Sequence, residues 1–217
     1  MTSKVWRLMN PLKERLCAGL SNRLTRGGEN AGFLLSMSVA TKMTLRSWSS
    51  TDVPKNSEWY SPVVEILERL AIPWALAGAL AANRYRAVPR ASLDVDIYIE
   101  WNDSLVPALE DAGYTVRQLT DVEIDHPHLL VLRRGEDRVD LLVTTVEYQR
   151  LALSRAKENV LTVEDVIVHK LLAWRPRDRD DVRSILDAGH VLDLDYIEHW
   201  AREWEVLDRW RKARGEE

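Results

Sequence analysis

Beyond residue 56 the apolar positions recur with two alternating periods, and each switch of period marks a new element. Ser57 and Glu58 open a helix whose apolar stripe is Val63, Val64, Ile66, Leu67 and Leu70. Residues 72–77 (IPWALA) read as a short strand, and Gly78 leads into a second helix from Ala79 to about Tyr85. Residues 93–100 (LDVDIYIE) alternate between acidic or polar and apolar positions, the period of a strand. A helix is expected over 104–112 and a strand over 114–117. Residues 129–133 and 138–143 form a hairpin around the turn sequence Arg134-Gly135-Glu136-Asp137. Helices then follow over 146–156, 163–174, 179–188 and 194–214. The predicted fold is α+β: a mixed sheet of about five strands with flanking helices and a helical C-terminal part.

Residues 1–56 read differently. They hold all four methionines and the only phenylalanine of the 217 residues, with an apolar decamer at 31–40 (AGFLLSMSVA). The expectation is a poorly ordered or non-native leader over 1–56, with translation able to begin at Met37 or Met43, and one domain over 57–217. Charge divides at the same place. The leader carries nine basic against three acidic residues, and the rest of the chain carries 21 against 31. An acidic body argues against broad adhesion to nucleic acid. Arg84, Arg86 and Arg90 are nevertheless close enough in sequence to line a local basic groove. The single cysteine, Cys17, excludes a disulfide framework and a cysteine-based zinc site. No apolar run approaches the roughly 18 residues of a membrane span, so the expected location is the cytoplasm, away from membranes.

Chemistry concentrates in the second part. Asp94 and Asp96 are i and i+2 on a strand, on one face and about 6.6 Å apart along it. Two carboxylates so placed repel unless a cation lies between them, and oxygen ligands on rigid neighbouring positions suit Mg²⁺. On a solvated strand face the same pattern is plain surface. Asp140, in an otherwise apolar strand, faces the same site if the two strands are neighbours. Three clustered carboxylates can hold two Mg²⁺ (Mn²⁺ being the other candidate), the arrangement that serves in-line phosphoryl displacement, and Asp140 can take the proton of an attacking hydroxyl. Gly78, between strand and helix, lets backbone N–H groups approach a phosphate, although tight packing needs a glycine there too. Arg90 and Ser92 are placed to contact phosphate oxygens. Lys170 lies in an apolar helical stretch and must reach solvent or an anion. Asp178 and Asp181 are expected to cap the next helix and orient neighbouring cations.

Together these residues resemble a known family. Gly78-Ala79-Leu80-Ala81, followed by Arg90-Ala91-Ser92-Leu93-Asp94-Val95-Asp96, is similar to the signature of the polymerase-beta-like nucleotidyltransferases. It is especially similar to the AbiEii-type branch, with its pattern of roughly G-[GS]-x-A, a gap, then R-x-[TS]-x-D-[IV]-D. Val139-Asp140-Leu141-Leu142 matches the family's later carboxylate strand. The stretch from Glu164 to Lys170, then Arg175-Pro176-Arg177-Asp178-Arg179-Asp180-Asp181, matches a further block. The resemblance spans about residues 60–190. It implies that Asp94, Asp96 and Asp140 bind metal, and that Gly78, Ala79, Arg90, Ser92 and Lys170 bind a nucleoside triphosphate. It also implies that Arg177, Asp178 and Asp181 support them from behind. Ala79 departs from the pattern, leaving a backbone N–H where a hydroxyl is usual. The implied activity is transfer of a nucleoside monophosphate to an acceptor hydroxyl. The implied setting is the toxin of a type IV toxin–antitoxin pair acting on tRNA 3′ ends, with a cognate antitoxin as partner.

Two other readings compete: an antibiotic-modifying nucleotidyltransferase with an aminoglycoside-like acceptor, and a non-catalytic interaction module of the same fold. An acidic acceptor pocket would favour the first, a basic groove RNA. His126-Pro127-His128 looks like a metal pair but reads more simply as a loop. Trp200, Trp204 and Trp210 read as core or interface on a C-terminal amphipathic helix.

Overall fold

The computed structural model describes residues 60–92, 94–122 and 124–216. The leader over 1–56 and the expected helix start at Ser57 lie outside the described residues. The first described helix, α1, is Ser61–Arg69, with a proline in its first turn where the missing N–H costs no helical bond. Then come β1 (Trp74–Leu76), α2 (Gly78–Tyr85), β2 (Val95–Ile99), α3 (Leu105–Asp111), β3 (Thr115–Leu119), β4 (Leu129–Arg134) and β5 (Asp137–Val143). Five helices complete the chain: α4 (Glu147–Ser154), α5 (Val163–Ala173), α6 (Pro176–Asp187), α7 (Leu194–Glu203) and α8 (Leu207–Arg214). The fold is α+β, built on one mixed five-stranded sheet.

The sheet order is β1-β2-β5-β4-β3, and of the described strand pairs only β2–β5 is parallel. The β4–β5 hairpin closes more tightly than the sequence suggests, with Arg134 pairing with Asp137 across Gly135 and Glu136. On one face of the neighbouring strands β2 and β5, Val95, Ile97, Ile99, Val139, Leu141 and Val143 are all buried. They share a core with Val63 and Leu67 of α1 and Leu105 and Leu109 of α3. The β1 edge is covered by the segment between α4 and α5. There the Leu76 N–H donates to Asn159 O (2.7 Å), and the Leu161 N–H donates to Leu76 O (3.1 Å).

On the opposite face α5 meets the sheet at β2. Tyr98 and His169 stack with ring centroids 5.1 Å apart and share a hydrogen bond of 3.1 Å between the phenol oxygen and Nε2. Burial lowers the His169 pKa to about 4, with Lys170 acting in the same direction and Asp165 against it. A second buried polar centre ties α4, α5 and α7. Asp165 accepts bonds from Thr162 (2.7 Å), Tyr196 (2.6 Å) and Tyr148 (3.3 Å).

Two helix boundaries depart from the sequence expectation. The helix expected from 179 begins at Pro176, because proline suits the first helical position and Asp178 accepts the Arg175 N–H at 3.0 Å. The single helix expected over 194–214 is two. Glu205 takes a positive φ of 55°, and the Val206 N–H closes on Ala201 O at 2.8 Å. At about 100° per residue, a continuous helix would carry Trp210 well off the stripe of Trp200 and Trp204. The break turns α8 inward, and Trp210 is 1% exposed.

The half-buried, neutral imidazole of His169 generates a pH prediction. Its proton affinity is lower in the folded chain than in the unfolded one. The stability it contributes is therefore present above pH 6.5 and lost as pH falls towards 4. Allowing for its partial exposure, that loss is about 2 kcal/mol. His169→Phe should flatten the acid limb of a urea-unfolding series between those pH values; an unchanged limb would show that another group sets it.

Candidate functional site

Asp96 lies on β2 directly opposite Asp140 on β5, in register across the parallel pair. Residues paired in this way project from the same face of a sheet. Asp94 stands immediately ahead of β2, exposed, and the Ser92 hydroxyl donates to its Oδ1 at 2.9 Å. The approach of Gly78 sets the floor. It starts α2 with φ +56°, and a Cβ built there would lie 1.8 Å from Asp96 Oδ2 and 2.6 Å from its Cγ. Nothing larger than glycine fits while Asp96 stays where it is. Ala79, the next residue, is buried. The Ala77 N–H donates to Asp96 O at 2.9 Å and locks the turn onto the strand.

Burial pushes the Asp96 carboxyl up to about 6, Asp94 and Asp140 add to the effect, and Lys170 and Arg175 oppose it. Among the described residues no donor hydrogen-bonds this carboxylate. Such a group is stabilised by a cation, and with Asp94 two positions away the donor set fits a hard divalent ion such as Mg²⁺. Asp140 differs. Both its oxygens accept bonds from Arg138, Nε at 2.8 Å and Nη2 at 2.6 Å. Among the described residues no three carboxylate, histidine or cysteine side chains close round a point as an ion would need.

Behind the carboxylates lies a buried ionic network. Asp181, fully buried, accepts a two-pronged contact from Arg90 (Nε 2.8 Å, Nη2 2.9 Å), a bond from Arg86, and Lys170 Nζ at 2.8 Å. Asp178, also fully buried, accepts from Arg175 Nε at 2.6 Å and Lys170 Nζ at 3.2 Å. Burial alone would raise the Asp181 carboxyl, but the Arg90 hydrogen bonds and the Lys170 charge outweigh it and hold it at about 2. Four cations share two carboxylates, which leaves an excess of positive charge beside Asp94 and Asp96. That charge reaches them: Asp96 and Asp94 both stabilise the Arg175 guanidinium.

Several residues stand differently from the sequence expectation. Lys170 is 5% exposed, and the anions it meets are Asp178 and Asp181. Arg90 gives its fork to Asp181, while Asn83 pins its backbone with bonds of 2.7 and 3.0 Å. Arg84, Arg86 and Arg90 do not line an open groove, since Arg84 pairs with Glu158 and the other two with Asp181. Arg177 is exposed on α6 and makes no bond to the network. His126 stacks on Trp101 at 5.7 Å and belongs to no metal cluster among the described residues. Arg138 is a member of the site that motif spacing does not single out, whereas Arg86 is expected in a basic groove and Arg175 stands in a motif block without a role. For Arg138 a signal exists, because it lies two residues before Asp140 on the same strand.

Two substitutions test this construction. Lys170→Ala removes one cation from two buried carboxylates and should cost about 3 kcal/mol in urea unfolding. A loss below about 0.5 kcal/mol would show that the three arginines suffice. Gly78→Ala introduces both a left-handed backbone strain and a collision with Asp96, and should cost about 1–3 kcal/mol. Wild-type stability in that variant would mean that Asp96 moves freely.

No protein-family model matches this chain, and no curated protein matches it in sequence. Solved structures are similar to it in overall arrangement. The solution structure of the antibiotic-resistance factor ANT(2″)-Ia aligns with TM-score 0.48 and 12% identity, over 73% of this chain and 95% of that one. JHP933 from Helicobacter pylori aligns with TM-score 0.40 and 16% identity, over 70% and 77%. An antigenic nucleotidyltransferase-like protein from Paracoccidioides brasiliensis aligns with TM-score 0.40 and 16% identity, over 72% and 94%. These are likenesses of fold alone; the side chains of this protein carry the functional reading.

Proposed function

We propose that the protein is a divalent-ion-dependent nucleotidyltransferase. The carrying observation is the juxtaposition of Asp96 and Asp140 across a parallel strand pair, with Asp94 two residues ahead and a glycine-started helix packed against them. Asp94 and Asp96 would hold Mg²⁺ or Mn²⁺, which supplies charge stabilisation to the phosphoryl oxygens. The triphosphate would lie along the first turn of α2, at Gly78 and Ala79, near the cationic network. Arg90, Lys170 and Arg175 act there as fixed positive charge held by Asp178 and Asp181. An acceptor hydroxyl attacks the α-phosphorus, the α–β phosphoanhydride P–O bond breaks, and pyrophosphate leaves. Asp140 is the carboxylate placed to take the hydroxyl proton.

The acceptor is read as RNA. Arg117 lies in the same register row as Asp96 and Asp140, and Arg133 lies in the row of Arg138; both are exposed. A cationic sheet face beside Asp140 suits a phosphodiester chain and repels an aminoglycoside-like acceptor. With the resemblance of the motif blocks, this supports a toxin of a type IV toxin–antitoxin pair that acts on tRNA 3′ ends in the cytoplasm and is neutralised by a cognate antitoxin. No helix among the described residues is long and apolar enough to cross a membrane. A non-catalytic interaction module would need none of the three carboxylates.

The test is incubation of the protein with Mg²⁺, each α-labelled triphosphate, and either total tRNA or a panel of aminoglycosides. Label on RNA with release of pyrophosphate is the expected result. Label on a drug would move the reading to the antibiotic-modifying alternative, and no label on any acceptor would favour the interaction module. Asp96→Asn should lower transfer at least a hundredfold. It should also raise the stability of the metal-free protein by about 1–2 kcal/mol, because one charge leaves a repelling group. A variant of wild-type turnover would remove Asp96 from the site.

A further inference from the structure

The carboxylates are not equivalent in what surrounds them. Arg138 and Asp140 are two residues apart on β5 and project from one face of the sheet. The contact is a two-pronged fork in which each guanidinium N–H meets its own carboxylate oxygen, at 2.8 and 2.6 Å. Such forks fix orientation as well as charge. Asp140 is the main stabiliser of the Arg138 charge, with Asp94 and Asp96 contributing. The remaining cations nearby are committed elsewhere, since Arg86, Arg90, Lys170 and Arg175 are bound by Asp178 and Asp181. Among the described residues, Arg138 is thus the cation bonded within the carboxylate cluster itself. An ion bridging Asp96 and Asp140 would sit against a guanidinium already bonded to one of its two ligands. An ion on Asp94 and Asp96 meets no such obstacle.

Resting on the nucleotidyl-transfer reading, we propose that Arg138 is the built-in counter-ion of Asp140: the site takes one divalent ion, on Asp94 and Asp96, and the guanidinium supplies the positive charge that a second ion would bring. Arg138 is then a positioning residue. It holds the Asp140 carboxylate in one plane and uses one lone pair on each oxygen, which leaves the others free to accept the acceptor's proton.

The experiment is a Mn²⁺ titration of the full chain, with free Mn²⁺ read by electron paramagnetic resonance, in wild type, Arg138→Gln and Arg138→Lys. Circular dichroism checks that each is folded. Arg138 is 39% exposed at its side chain, so both variants are expected to fold. The expected result is one ion per chain in wild type and in Arg138→Lys, which keeps the charge, and two in Arg138→Gln, where Asp140 is released. Two ions in wild type would overturn the proposal alone, showing that the arginine gives way to metal. One ion in Arg138→Gln would also overturn it. No bound Mn²⁺ in any of the three would overturn it together with the reading of Asp94 and Asp96 as ion ligands.

Discussion

The Asp181 carboxylate is the constraint on which the rest of the site depends. It has no access to water, and it is bonded by two arginines from the segment after α2 and by a lysine from α5. A buried carboxylate is costly unless its charge is met, and here three cations from two separate stretches of chain meet it. The consequence is mechanical as well as electrostatic. The segment from Arg86 to Ser92 has no regular structure, yet Arg86, Arg90 and the Asn83 bonds to the Arg90 backbone fasten it to α6 and α2. That segment delivers Asp94 to the start of β2. Position and charge at the site therefore come from the same bonds.

The opposite wall is set by exclusion. Gly78 lets the α2 turn approach Asp96 so closely that a methyl group would collide with it. The carboxylate then has a backbone turn on one side, Asp140 on another and a cationic network behind. That enclosure, with Asp94 and Asp140 alongside, raises its proton affinity. Pre-placed charge of this kind needs little rearrangement when a charged ligand arrives.

Much of this was legible from local rules. The strand period marks β2 and puts Asp96 on it, although the strand begins at Val95 and Asp94 stands just ahead of it, and the apolar run around Asp140 marks a buried strand. Their facing one another depends on which strands pair, and no local pattern specifies the parallel β2–β5 pairing. The Lys170 contacts were hidden for a related reason. Trp174, with φ 48°, ends α5 and turns the chain so that Asp178 and Asp181 of α6 fold back onto the lysine. A left-handed tryptophan has no signature in propensity. A lysine in an apolar helix does announce that an anion is required; which anion is a tertiary matter. The break at Glu205 is of the same kind, because burial of Trp210 decides it rather than helix preference.

The parallel pairing of β2 with β5 has a consequence for the order of folding. β3, β4 and α3 all lie in sequence between the two strands, and the β4–β5 hairpin can close early because its partners are adjacent in the chain. The β2–β5 ladder joins residues more distant in sequence and is expected to close later. Until it does, Asp96 and Asp140 are far apart and feel no mutual repulsion. That pairing adds Asp140 to a repulsion that Asp94 and Asp96 already share within one stretch of chain, so the order expected from sequence separation puts the scaffold ahead of this last charge. A nascent chain from which β5 has not yet emerged carries Asp94 and Asp96 but neither Asp140 nor Arg138, so two of the three carboxylates precede the strand that completes the acidic centre.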